Sequence, residues 1–192
     1  MVGVWHAAVY VVGKNNTQNY TGSQQQINPP PQGDVEGPGL PVRLIIPSIN
    51  VDAKIIYVGL APDGSVGVPA GPDEVAWFGL GPRPGASGSS VITGHFGPWK
   101  NGAHSVFDNL NKLKSGDIIY IEDDKGKQIP FTVDHSHIYP NDAIVPEVFS
   151  KDGGARLNLI TCNGEWLAGQ ETYTNRLVVF SDSNINEDNK IK

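Results

Sequence analysis

Apolar residues in this chain recur in short runs, several of which alternate with polar residues in the period of two that is typical of β-strands. Stretches rich in Gly, Pro, Asn and Asp separate these runs, so the chain can reverse its direction between them. Such spacing indicates a β-sandwich or a closed β-barrel. We predict strands at Arg43 to Ile46, Ala53 to Val58, Ser90 to Thr93, Asp117 to Glu122, Gln128 to Tyr139, Leu157 to Thr161 and Leu177 to Phe180.

Helical periodicity is confined to three short segments, residues 73–80, 105–113 and 141–149. In the second segment Val106 and Leu110 share one face, whereas a proline interrupts the third. We therefore predict short connecting helices between the strands. No internal repeat indicates a solenoid or a propeller.

The termini differ in character from the middle of the chain. Residues 1–14 are mostly apolar but too few to span a membrane, which takes about 20 residues, so they are either part of a truncated membrane anchor or a short strand. Residues 15–41 are rich in Asn, Gln, Gly and Pro and are predicted to form a disordered linker. This leaves one domain of catalytic size, residues 42–183, and a polar tail, residues 184–192.

Composition narrows the possible functions. The chain carries 14 basic and 20 acidic side chains, a net charge of -6, and no basic run that could neutralise a row of phosphates, so we do not expect it to bind nucleic acid. Its one cysteine excludes an internal disulfide and a zinc site built from several cysteines. That cysteine is therefore either an inert buried thiol or a reactive one.

Two reactive side chains stand at predicted strand ends. Cys162 closes an apolar run and is followed at once by the turn residues Asn163 and Gly164. His95 follows another apolar run after Gly94, which permits a turn. Taken singly, a free cysteine is usually buried and inert, and a lone histidine usually serves as a hydrogen-bonding residue. Their similar positions make them a candidate nucleophile and a candidate acid–base group.

Three other side chains qualify for chemistry on their residue type. Arg176 opens the last predicted strand, where its guanidinium could stabilise an oxyanion or form an ordinary surface salt bridge. His135 and His137 share one face of a strand, but no third ligand lies near them in the sequence. We therefore expect neither a metal nor another cofactor.

The three strand-end motifs occur in an informative order. Thr-Gly-His ends at His95, Leu-Ile-Thr-Cys ends at Cys162, and Arg176 then opens the final strand. Together they resemble the sortase family of cysteine transpeptidases, and the resemblance extends over about residues 42–181. It implies an all-β fold, a closed eight-stranded β-barrel with short connecting helices, which agrees with the separate count of strands and turns.

One branch of the family is more similar than the others. Trp77 and the stretch Gly81-Pro-Arg-Pro-Gly85 look most like class F sortases. Asn158 stands where many members of the family have Thr.

The resemblance also implies a mechanism. Cys162 as thiolate attacks the carbonyl of an LPxTG-like signal between Thr and Gly and forms a thioacyl enzyme. His95 protonates the leaving amine, and Arg176 stabilises the oxyanion. An incoming amine, or water in its absence, then releases the acyl group. Thr161 is a possible substrate contact.

Partners and location are implied by the same resemblance. The expected partners are the LPxTG-like peptide of a surface protein and an amine acceptor such as a peptidoglycan precursor. The expected location is the extracellular face of the membrane of a Gram-positive-type bacterium, with the protein tethered there by an N-terminal anchor.

Two rival hypotheses remain at this stage. Papain-like peptidases place the cysteine at a helix N-terminus and ahead of the histidine, whereas here His95 precedes Cys162 and turn residues follow the cysteine. A non-catalytic extracellular β-barrel that binds peptide or glycan stays open. Thiol chemistry separates the two possibilities, because a nucleophile is alkylated selectively and a structural thiol is not.

Overall fold

Eight strands close into a barrel in the computed structural model, which describes residues 7–10, 37–99 and 102–183. Around the barrel the strand order is β10-β8-β7-β2-β3-β5-β6-β9, and a separate two-stranded sheet pairs β1 with β4. The all-β, closed eight-stranded architecture is therefore confirmed. The strands are β1 Ala7–Tyr10, β2 Pro41–Ile46, β3 Val51–Val58, β4 Ser65–Val66, β5 Val75–Phe78, β6 Gly88–Gly94, β7 Ile118–Asp123, β8 Gln128–Pro140, β9 Ala155–Leu167 and β10 Thr172–Asp182.

Two of the eight barrel pairings are parallel, β3 with β5 and β6 with β9, and the other six are antiparallel. Strand β6 ends at Gly94, whereas its parallel neighbour β9 continues to Leu167. The strand end and turn predicted at Cys162 are therefore wrong, because pairing with β10 extends β9 beyond that point. The register of the two parallel strands pairs Thr93 with Ile160. These two strands position the candidate site.

The helix predicted over residues 73–80 is wrong, because this segment contains strand β5. All four residues of β5 are buried, because Val75 and Trp77 pack in the cluster that fills the barrel and Ala76 and Phe78 pack in a second apolar cluster on the other face. A strand buried on both faces shows no alternation, so its sequence resembles a short apolar helix. The other two predicted helices are reduced to single 3₁₀ turns, Leu110–Lys112 and Pro146–Phe149.

The pleat of the strands divides the apolar residues into two layers. In β9, Leu157 and Leu159 belong to the cluster that fills the barrel, whereas Ile160 belongs to a second cluster. Val145 and Val148, from the connection between β8 and β9, complete that second cluster. The connection therefore packs across part of the sheet face that carries Ile160.

The chain joins the barrel just before β2. Leu40 is buried, and the backbone amides of Gly39 and Leu40 donate to the carboxylates of Asp123 and Asp124. Residues 1–6, 11–36 and 184–192, which hold most of the apolar stub, nearly all of the linker and the polar tail, lie outside the described residues. In the part of the chain that is described, no helix combines the length and the apolarity that a membrane crossing requires.

Candidate active site

The register of β6 and β9 brings the first two candidate residues to one place. The last paired residues are Thr93 and Ile160, and two further positions along each strand direction lead to His95 and Cys162. The hydroxyl of Thr161 donates to the carbonyl oxygen of Gly94 at 2.8 Å, which holds β9 to the end of β6 beyond the last backbone pairing. The imidazole of His95 and the thiol of Cys162 are thus carried by adjacent segments of the barrel. We name the region around these two residues the Cys162 end.

Arg176 joins them from the third strand. It is the Cα partner of Cys162 in the antiparallel pairing of β9 with β10. Directly opposed residues of an antiparallel pair point to the same face of the sheet. The guanidinium therefore stands on the same face as the thiol.

The Arg176 side chain is held by the backbone around it. It is 1% exposed, which does not match the exposed ion pair that the sequence left open. One terminal nitrogen donates to the carbonyl oxygens of Tyr173 (3.2 Å) and Asn175 (2.9 Å), and the other donates to Thr172 Oγ1 (2.9 Å). These contacts fix the guanidinium at the start of β10.

The thiol is in an environment that disfavours its charged form. Burial raises the pKa of Cys162, and the positive charge of Arg176 opposes this shift to a smaller extent. Cys162 nevertheless keeps part of its surface exposed to solvent. The site thus favours a protonated, partly exposed thiol beside a permanent cation.

His95 is packed more tightly than Cys162. The residue is 6% exposed, its Nε2 lies 2.7 Å from the carbonyl oxygen of Pro69, and its ring lies 4.9 Å from that of Trp99. A carbonyl oxygen only accepts hydrogen bonds, so Nε2 carries a proton and donates it to Pro69. Burial lowers the pKa of His95, and the Pro69 carbonyl partly opposes this shift. Burial thus favours a neutral thiol and a neutral imidazole.

Tyr173 is a residue of this site that the sequence analysis missed. Its ring makes edge contacts with Phe96 and Trp166 at centroid distances of 5.5 and 5.2 Å. Burial raises its pKa, and the nearby Cys162 and Asp108 raise it further, so the phenol stays protonated next to the thiol. A bulge follows Tyr173 in the pairing of β9 with β10, so the period of two could not assign its face.

The remaining candidates occupy less distinctive positions. Thr161 is 1% exposed and its hydroxyl is bonded to the Gly94 carbonyl, so its contact with substrate stays a prediction. His135 stacks on Phe180 at 4.7 Å and lies 2.8 Å from a carboxylate oxygen of Asp134. Within residues 37–99 and 102–183, no group of three or more His, Cys, Asp or Glu residues has the geometry to hold a metal ion.

Comparisons with known proteins identify what this arrangement is similar to. A family model described as a sortase domain matches residues 44–184. Sortase C-1 from Actinomyces oris is 27% identical, with a TM-score of 0.55, over 74% of this chain and 73% of that chain.

Two further solved structures are similar. Pilus island 1 sortase C2 of Group B Streptococcus is 25% identical, with a TM-score of 0.56, over 74% of this chain and 72% of that chain. Sortase A from Corynebacterium diphtheriae has the same fold, with 24% identity and a TM-score of 0.58 over 81% of this chain and 66% of that chain. No curated protein sequence matches the chain significantly.

Proposed function

Because the chain belongs to the sortase family, we propose that Cys162, His95 and Arg176 are the residues that carry out its reaction. The protein is a cysteine transpeptidase that cleaves an LPxTG-type sorting signal and transfers the acyl group to an amine. Sortases are cell-surface enzymes of Gram-positive bacteria. The sortase family match and the sortase structural neighbours do not favour the alternative, a non-catalytic binding module.

In the first step, Cys162 as thiolate attacks the carbonyl carbon of the signal's Thr. A tetrahedral intermediate forms, and its oxyanion takes hydrogen bonds from the guanidinium of Arg176. The main support for this assignment is the direct pairing of Arg176 with Cys162 across β9 and β10, with the guanidinium buried. Donors held in place before the reaction stabilise the developing charge without a cost of reorganisation.

In the second step, His95 supplies the proton that the leaving amine needs. Because Nε2 donates to Pro69, Nδ1 is the atom that exchanges a proton with the thiol and then with the leaving group. The carbon–nitrogen bond breaks, the amine leaves protonated, and a thioester to Cys162 remains. His95 then removes a proton from the incoming amine, which attacks the thioester and restores the thiol.

Intact mass spectrometry tests these roles. Wild type and Cys162→Ala are incubated with an LPxTG-type peptide, with and without a glycine-based amine. We expect an acyl adduct on wild type alone, discharged by the amine as ligated peptide. An adduct that persists in Cys162→Ala would refute the role of the thiol. Absence of adduct and cleavage in folded wild type across a peptide library would refute the reaction.

We also propose the domain layout and the membrane tether. Residues 1–14 are a fragment of a membrane anchor, residues 15–41 a linker, residues 42–183 the catalytic domain and residues 184–192 a tail. The apolar composition of the stub supports the anchor. The competing arrangement is the pairing of β1 with β4, which makes the stub part of the fold.

Membrane association distinguishes the two arrangements. Residues 1–41 fused to a soluble reporter should sediment with anionic vesicles more than a fusion of residues 15–41 does. Equal sedimentation of the two fusions would refute the anchor.

Class F remains our proposal for the branch. Its two signature features are in contact, because Trp77 Nε1 donates to the carbonyl oxygen of Pro82 at 3.2 Å. Cleavage of one panel of sorting peptides, run beside sortases of classes A, C and F, tests the assignment. A profile that follows class A or class C would overturn it.

A further inference from the structure

Hydrogen bonds join the backbone segment that begins at His95 to a turn near residue 107. The carbonyl oxygen of His95 accepts from the amide of Phe107 at 3.0 Å, and the Ser105 hydroxyl donates to the carbonyl oxygen of Gly97 at 2.7 Å. Phe107 is fully buried in the barrel core. This turn is therefore a fixed support for the segment 95–97, which lies just beyond the end of β6.

One carboxylate completes that support. Asp108 Oδ1 accepts from the amide of Gly97 at 2.8 Å, and Oδ2 accepts from the amide of Ser105 at 3.0 Å. His104 Nδ1 lies 3.3 Å from Oδ2 on the exposed side. Asp108 thus adds, to the bond of the Ser105 hydroxyl, a second side-chain bridge between the segment after His95 and the turn before Phe107.

Gly97 is packed closely against Tyr173. It has a φ of +89°, and a Cβ added there would collide with the hydroxyl of Tyr173. Tyr173 in turn lies close enough to Cys162 and Asp108 for both to raise its pKa. A shift of Gly97 would therefore disturb the imidazole on one side and the residue beside the thiol on the other.

We propose that Asp108 is a positioning residue for the transpeptidase reaction, because its carboxylate ties Gly97 to Ser105 and so fixes His95 relative to Cys162. The proposal rests on the proposed role of His95. It attributes no contact with substrate to Asp108. It requires that loss of the carboxylate slows the chemical steps more than it weakens substrate binding.

Asp117 provides a matched control. Its Oδ2 accepts from the amide of Lys114 at 2.9 Å, the same three-residue spacing that joins Asp108 to Ser105. Among the described residues, its carboxylate makes no hydrogen bond to the segment 95–97. Asp108→Asn and Asp117→Asn therefore remove the same charge and perturb the same kind of turn. Only the first also removes one of the two acceptors that together link Gly97 to Ser105.

The kinetic test compares kcat and KM for peptide cleavage. We expect Asp108→Asn to lower kcat by about tenfold or more with KM changed less than about twofold, since small displacements of a catalytic group cost rate. Asp108→Ala, which loses both acceptors, should lower kcat further. Asp117→Asn should leave both constants within about twofold. Equal kcat for Asp108→Asn and Asp117→Asn, both folded, would overturn the proposal.

A second readout does not depend on activity. Amide hydrogen exchange should accelerate at residues 95–97 in Asp108→Asn and stay unchanged there in Asp117→Asn. Unchanged exchange in both variants would refute the bridge even if wild type proved inactive. Wild type that forms no thioacyl adduct would instead refute the proposed reaction and leave exchange to decide the positioning role.

Discussion

Two arginines lie along strand β9, Arg176 of the neighbouring β10 opposite Cys162 and Arg156 near the start of β9, and their surroundings differ. At the Cys162 end, the guanidinium of Arg176 pairs with a thiol and is bonded to neutral oxygens of its own strand. At the other end, six residues and about 20 Å away at roughly 3.3 Å per residue, Arg156 lines a cavity of about 280 Å³ with Ser89 and Asn158. We name this the Arg156 end.

The difference shows which surroundings allow an arginine to support chemistry. Asp134, Glu147 and Asp182 also line the cavity at the Arg156 end, so the arginine there shares its cavity with three acidic residues. At the Cys162 end, the cation instead faces a titratable nucleophile, with a histidine supplied by the adjacent parallel strand. The same residue type is thus part of a reactive site at one end only.

The largest expected effect is the difference between alanine substitutions of the two arginines. Arg176→Ala should lower kcat/KM for acylation by about 10²–10³-fold, the usual result of removing one oxyanion donor. Arg156→Ala should change it less than about threefold, because its side chain is remote from the thiol. Steady-state cleavage of an LPxTG-type peptide measures both. Similar losses in the two folded variants would show that Arg176 acts only through stability.

Two glycines provide the next comparison. A Cβ on Gly94 would lie 2.5 Å from the ring of Phe107, whereas a Cβ on Gly154 meets nothing within 4 Å. Gly94→Ala should lower the free energy of unfolding by about 1–3 kcal/mol and displace His95, with about a tenfold loss of kcat. Gly154→Ala should change both little. Denaturant unfolding and kinetics of the two variants check this, and a neutral Gly94→Ala would contradict the packing argument.

The pH dependence of acylation tests the environment of the reactive pair. Below both pKa values the imidazole is protonated but the thiol is not ionised, and above both the thiolate lacks an acid, so the rate should fall about tenfold per pH unit beyond each limit. Burial lowers the pKa of His95 and raises that of Cys162. The midpoint of the acidic limb should therefore lie below about pH 6.5 and the midpoint of the alkaline limb above about pH 8.5, the ordinary pKa values of His and Cys.

Arg176→Ala sharpens the pH experiment. The charge of Arg176 lowers the pKa of Cys162. Removal of Arg176 should therefore move the alkaline limb of the profile to higher pH and leave the acidic limb in place. Profiles of kcat/KM from about pH 4 to 11 measure both limbs. A flat profile over that range would exclude the acid–base role of His95.

The smallest effect on activity is expected at the Arg156 end. Asn158 Nδ2 donates to the carbonyl oxygen of Val148 at 2.8 Å, and the residue is 1% exposed. Asn158→Ala should lower the free energy of unfolding by about 1–3 kcal/mol while kcat per folded molecule stays within about twofold. Thermal or urea unfolding beside kinetics measures this. A tenfold loss of kcat would mean that the two ends of β9 are coupled.

Sequence reasoning predicted the positions of the strands better than the contacts between strands. The alternation in β7, where Ile119 and Ile121 point into the core, is a local property of the chain and was readable. Strand β5 was missed because both of its faces are covered by apolar clusters whose other members lie elsewhere in the sequence. Tyr173 was missed for a similar reason, since a bulge in the pairing with β9 determines its direction.

By itself, the sequence determined an all-β chain with a lone thiol in one strand and an imidazole directly after another, because strand periodicity and turn residues act over a few positions. Only the tertiary structure placed Arg176 opposite Cys162, the Pro69 carbonyl on His95 and the Asp108 carboxylate on Gly97. Pro69 is separated from His95 by 26 positions, and Arg176 from Cys162 by 14. Contacts of such separation depend on how the barrel closes, and closure is a property of all eight strands together.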